Sequence, residues 1–141
     1  MATTDYVPLE NEADVVSFND DELELTGRYI SAFSYKGERH QVVNWKQMLE
    51  SVCKLIYKEL PIQMNSLAVS DYWLHPTDRE DRSRIADGCY VHSSCSTRTK
   101  CAILNYIFDQ LELNPSDLEF ELIPKSDKVI EDAEDISSNL A

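Results

Sequence analysis

Glycine is scarce in this chain, with three in 141 residues. So few leave little scope for a phosphate-cradling loop, and no P-loop, dinucleotide fingerprint or Gly-x-Ser-x-Gly elbow occurs. Long apolar runs are missing too; none approaches the ~20 residues of a membrane-spanning helix. The start, Met1-Ala-Thr-Thr-Asp5, has neither a basic nor an apolar leader region, which points to a cytoplasmic protein. In that compartment the four cysteines are expected as reduced thiols. No C-x-x-C pair exists, and strand geometry sends Cys89 and Cys95 to one face and His92 to the other. Buried thiols therefore outrank a zinc site built from Cys89, His92, Cys95 and Cys101, and no metal or other cofactor is expected.

Basic residues are absent from one region. Residues 1–25 hold eight acids and no Lys or Arg, whereas residues 26–123 hold 13 acids against 11 bases. Residues 124–141 add five acids and two lysines. The formal charge of −13 thus belongs mainly to the ends, and the body is nearly neutral. This organisation predicts a flexible acidic arm over 1–25, one α+β domain over 26–123, and a flexible acidic tail over 124–141. Within the arm, Val15-Val16-Ser17-Phe18 is a short sticky segment.

The body carries clear periodicities. Tyr29–Tyr35 and Arg39–Val43 are strand-like runs around Lys36-Gly37-Glu38, which reads as a hairpin. Asn44 offers a helix cap with Gln47 in capping-box spacing. Trp45, Met48, Leu49, Val52, Cys53, Ile56, Tyr57 and Leu60 then follow helical spacing until Pro61. Residues 62–70 fit a loop or a short strand. Residues 70–87 read as a charged surface loop, with room for one helical turn, anchored by Tyr72, Trp73 and Ile85. A strand over 88–94 leads to Ser96, the cap of a second helix with the stripe Ile103, Leu104, Ile107, Phe108 and Leu111. Asn114-Pro115 stops it, and Leu118, Phe120 and Leu122 alternate with Glu119 and Glu121 in a final strand. The predicted order is β-β-α-β-α-β: a small two-layer sandwich, with two helices on one face of a mostly antiparallel sheet.

The first turn of a helix favours acids, yet here it carries Arg98 and Lys100 beside Ser93, Ser94, Ser96, Thr97 and Thr99. That arrangement suits an anion from outside, so Ser96, Thr97, Arg98 and Lys100 are the candidate site. Arg79, Arg82 and Arg84 would support it if the charged loop folds over the same edge. Tyr90 and His92 would then add stacking surface for an exposed base. The competing reading is a Ser/Thr-rich helix cap flanked by solvated cations, with the loop arginines satisfied by Asp78, Glu80, Asp81 and Asp87. His75 and His92 as acid–base groups, and Ser93, Ser94, Cys89 or Cys95 as nucleophiles, form no recognisable catalytic constellation. A non-enzymatic interaction module is expected, with a protein partner or nucleic acid and no membrane; oligomeric state is not readable. The alternative is an acidic regulator whose N-terminal arm imitates a phosphate backbone.

Three segments carry a resemblance. They are residues 34–57, with Trp45, Met48 and Leu49 opening a helix; residues 88–100, beginning Gly88-Cys-Tyr-Val; and residues 114–122, beginning Asn114-Pro-Ser-Asp-Leu. Together, over about residues 28–123, they resemble a small accessory domain found near the C-terminus of prokaryotic restriction and phage-defence proteins, including ParB-like restriction proteins. The resemblance implies a defence-associated or nucleic-acid-associated role and transfers no catalytic residue. In those proteins the module accompanies a nuclease or nucleotide-using domain, so a copy on its own implies a binding or regulatory partner.

Overall fold

The computed structural model describes residues 14–20, 24–25 and 27–123. The remaining residues, including most of the acidic arm and all of the acidic tail, lie outside the described residues.

The expected hairpin forms from β2 (Ile30–Tyr35) and β3 (Glu38–Gln41). Lys36 and Gly37 both have positive φ, 53° and 85°, as a two-residue turn matched to strand twist requires. Asn44 caps α1 (Trp45–Glu59), its Oδ1 accepting from Gln47 N at 2.8 Å. The Gln47 side chain answers by accepting from Val43 N at 2.8 Å. Trp45, Met48, Leu49, Val52, Cys53 and Ile56 are buried, as their spacing predicts. The last strand, β7 (Leu118–Leu122), is preceded by a 3-10 turn over Pro115–Asp117. Its inward residues Leu118, Phe120 and Leu122 are fully buried.

The fold class is α+β with antiparallel sheets, but it has three helices and two sheets rather than two helices on one sheet. The first sheet has the order β1-β7-β2-β3, where β1 is Asp14–Ser17. Residues expected in the flexible arm are ordered instead: Val15 and Val16 pair with Glu121 and Phe120, and Phe18 and Leu25 enter the core. Asp14, one of the arm's eight acids, bonds to Arg28 at 2.5 Å. Residues 62–70 are neither loop nor strand but lie in α2 (Pro61–Ser70). Proline ends α1 because it lacks the N–H that the helix needs, and the same ring, with φ preset, opens α2 at its first turn. Met64, Leu67 and Ala68 face inward from α2.

The stretch expected as a charged loop holds two strands, β4 (Leu74–His75) and β5 (Arg82–Ala86). With β6 (Cys89–His92) they form a second antiparallel sheet in the order β4-β6-β5. Asp87-Gly88 turns β5 into β6, with Gly88 at φ 74°. The second expected helix is α3 (Thr97–Gln110). Its Phe108 packs edge-on against Phe18 and Tyr35, while Trp45 of α1 packs against Phe120 at 5.2 Å. Both helices thus cover the larger sheet, and the smaller sheet packs on α1 and α2 within one continuous core. Among the described residues, no helix is long and apolar enough to cross a membrane.

Tyr35, at the end of β2, supplies a pH-dependent contribution. Burial first, and then the Glu59 carboxylate 3.4 Å away, push its phenol up to about 12 from its ordinary value of 10.0. The folded-state value lies above the unfolded one, so the folded state holds the proton longer. The resulting stabilisation is complete below about pH 10 and is lost as pH rises through about 12. Urea unfolding should therefore show stability falling across this window, with a smaller fall in Tyr35→Phe. An identical pH slope in that variant would assign the loss to other groups.

Candidate binding face on the smaller sheet

The two ends of the candidate site behave differently. At the start of α3, Ser96 is the cap, its Oγ accepting from Thr99 N at 3.1 Å, and Thr97 is half-buried beside it. Lys100 is only 6% exposed, and its Nζ donates to the Cys95 carbonyl. A cation that folds back onto the preceding turn in this way is structural, and an incoming anion does not meet it. The expected docking surface at the mouth of this helix loses its second cation. Arg98 stays exposed, with no ion pair among the described residues.

Of the supporting residues, Arg82, Arg84, Tyr90 and His92 converge on the outer face of the smaller sheet, while Arg79 lies exposed in the loop over residues 76–81. Side chains alternate along a strand, so Leu74, Ser83, Ile85, Cys89 and Val91 point to the core. His75, Arg82, Arg84, Tyr90 and His92 are left on the other face. Register places them in rows: His75 beside Tyr90 beside Arg84, and His92 beside Arg82. Trp73 extends the second row, its ring 5.8 Å from that of His92 and its carbonyl accepting from His92 N at 2.9 Å. Tyr90 and His92 occupy alternate positions on the central strand. Sequence reasoning named Tyr90 and His92 as stacking surface, but it had no means of adding Trp73, because the loop reading hid β4.

The backbone beside these rings is strained. Trp73 has φ 59°, and Leu74 N bonds to Tyr72 O at 2.6 Å, an i to i+2 closure of the rare positive-φ kind. Asp71 also has φ 59°. Two non-glycine residues held in this region cost free energy that the surrounding packing must offset, and such strain concentrates at functional surfaces. The turn holds Tyr72 outward, 55% exposed, against Trp73 and against Tyr106 of α3.

Each cation and imidazole on the face has an acidic neighbour. His75 Nδ1 lies 2.7 Å from Asp71 Oδ1, and that hydrogen bond holds the Asp71 carboxyl below its usual range. His92 Nδ1 lies 3.4 Å from Asp81 Oδ2. Arg84 bonds to Asp87 at 2.7 Å, and Asp87 first, then Tyr90, hold its guanidinium charged. Arg82 is different. Its side chain is 8% exposed, and one terminal nitrogen donates to the Thr77 carbonyl at 2.9 Å. It pins residues 76–81, the loop that carries the chain from one edge of the sheet to the other. Arg82 is thus spent on structure, whereas Arg84, with its side chain 61% exposed, and the exposed Arg79 face solvent.

The groups considered for chemistry are scattered. Burial pushes Cys89 and Cys101 up to about 11 and raises Cys53 and Cys95 as well, so none is a ready thiolate at neutral pH. Cys89 faces the core while His92 faces out, and no group of three or more His, Cys, Asp or Glu among the described residues is placed to hold a metal ion. Ser93 is buried on the inner side, bonded to Ser83. Compared with protein-family models, curated proteins and solved structures, the chain matches none.

Proposed function

We propose that this chain is a non-enzymatic interaction module that binds an anionic partner on the outer face of its three-stranded sheet. One observation carries the reading: two rows, Trp73–His92–Arg82 and His75–Tyr90–Arg84, lie side by side on one outward face. Arg84 and Arg79 are the cations a partner reaches. The Arg84–Asp87 pair is exposed and screened by solvent, so it yields readily to a phosphate or carboxylate. The strained turn at Trp73 supports the same face. The four unpaired cysteines fit a reducing cytoplasm, and the resemblance to an accessory domain of restriction and defence proteins fits a binding role.

Fluorescence anisotropy of a labelled 16-nucleotide single strand, titrated with the full chain across a salt series, tests this. Arg79→Gln/Arg84→Gln should weaken binding about three- to tenfold and flatten the log–log salt slope by about 1.4, two phosphates at ~0.7 each. Arg98→Gln should leave both unchanged. The reverse pattern would return the site to the start of α3. No binding at low salt, of either an ordinary strand or a base-free sugar–phosphate strand, would remove the reading.

A further inference from the structure

We infer that the anionic partner is a single-stranded nucleic acid whose unstacked bases lie on Tyr90 and His92. This rests on the proposed binding face and adds the chemical class of its ligand. Residues two apart on a strand are separated by roughly 6.6 Å, about twice the 3.4 Å step of a stacked nucleic-acid strand. Rings at that spacing cannot follow bases within a duplex stack, but they can each take a base from a splayed strand. Tyr90 and His92 stand at that spacing on the central strand, Tyr90 paired with both flanking strands and His92 held between Arg82 and the Trp73 carbonyl. Trp73, 5.8 Å from His92, continues the ring surface to the edge of the sheet.

Charge separates this ligand from other polyanions. Asp71, Asp81 and Asp87 offset Arg79, Arg82 and Arg84 in formal charge, so the face carries no surplus of positive charge. A duplex held through phosphates needs a surplus of cations, because its affinity comes mainly from counterion release. A face with four rings and two accessible arginines instead gains most from stacking, which every base provides and a bare sugar–phosphate chain does not. The arginines then track one or two phosphates while the rings hold the bases.

The test compares three labelled probes of equal length at low salt: oligothymidylate, an abasic strand and a duplex. Oligothymidylate should bind at least tenfold more tightly than the other two. Tyr90→Leu, which keeps apolar bulk on the sheet, and His92→Ala should each weaken it about tenfold or more. Emission of Trp73 should change on binding, in a Trp45→Phe background that removes the other tryptophan. Equal affinity for the ordinary and abasic strands would overturn the stacking inference while leaving the anionic face standing. Failure of all three probes to bind would overturn both.

Discussion

Phe120→Ala is expected to lower the free energy of unfolding by about 3–5 kcal/mol. Phe120 is fully buried at the middle of β7, an interior strand paired to Val16 on one side and Phe33 on the other. Its ring meets Phe18 and Trp45 edge-on, at 5.9 and 5.2 Å. Because the backbone on both sides is tied into the ladder, the walls of the resulting cavity cannot collapse inward, and the cost stays near the upper end for such truncations. A small domain holds only about 5–15 kcal/mol in all. Phe120→Leu, which retains most of the volume, should cost far less. Urea unfolding with an unchanged m-value would measure the difference. A loss below about 1 kcal/mol in the alanine variant would show that the two faces around β7 repack freely.

The elements legible in the sequence were those whose signals are local and strong. The helix α1 has six buried residues on one stripe, a capping box and a terminal proline, and all three agree. The Lys36-Gly37 turn, the Ser96 cap and the alternation in β7 are of the same kind. The helix α2 was missed because its stripe is only Met64, Leu67 and Ala68, and Asn65, Ser66 and Ser70 dilute it with turn formers. The strand β5 was missed for a different reason: its inward residues are Ser83 and Ile85, and its outward ones are Arg82 and Arg84. A serine at a core position hides the period of two, and it is tolerated only because Glu50 and Ser93, distant in sequence, satisfy it. Asp87-Gly88 was the local clue, since that dipeptide is a strong hairpin signal.

The candidate site divided along the same line. Composition marks the cations and rings, but their surroundings depend on partners that no spacing reveals. Lys100 looked like a surface cation and is buried because its stem lets the ammonium reach the Cys95 carbonyl. Arg82 looked equivalent to Arg84, yet one pins the loop at Thr77 and the other faces solvent. Tyr90 and His92 share a face because a strand has period two. Trp73 and His75 join them only through the pairing of β4 with β6, a contact that closes over fifteen or more residues.

Ser83→Ala should cost about 2–4 kcal/mol, more than its single lost hydroxyl suggests. Ser83 Oγ lies 2.5 Å from Glu50 Oε2 and 2.6 Å from Ser93 Oγ. An ionised carboxylate only accepts, so Ser83 gives its proton to Glu50 and takes one from Ser93. The chain of bonds therefore runs Ser93 to Ser83 to Glu50, and its middle member serves two partners at once. Removing it strands the buried Ser93 hydroxyl and strips the carboxylate of a charge-assisted bond, while the lost van der Waals volume is small. The bonds tie the inner face of the smaller sheet to α1, so amide exchange should accelerate through β5 and β6 before it does in β7. In Ser83→Ala/Ser93→Ala the orphaned donor disappears as well. The double variant should therefore lose less than the two single losses added together, the mark of a shared network. Strict additivity would instead mean that the two hydroxyls act independently.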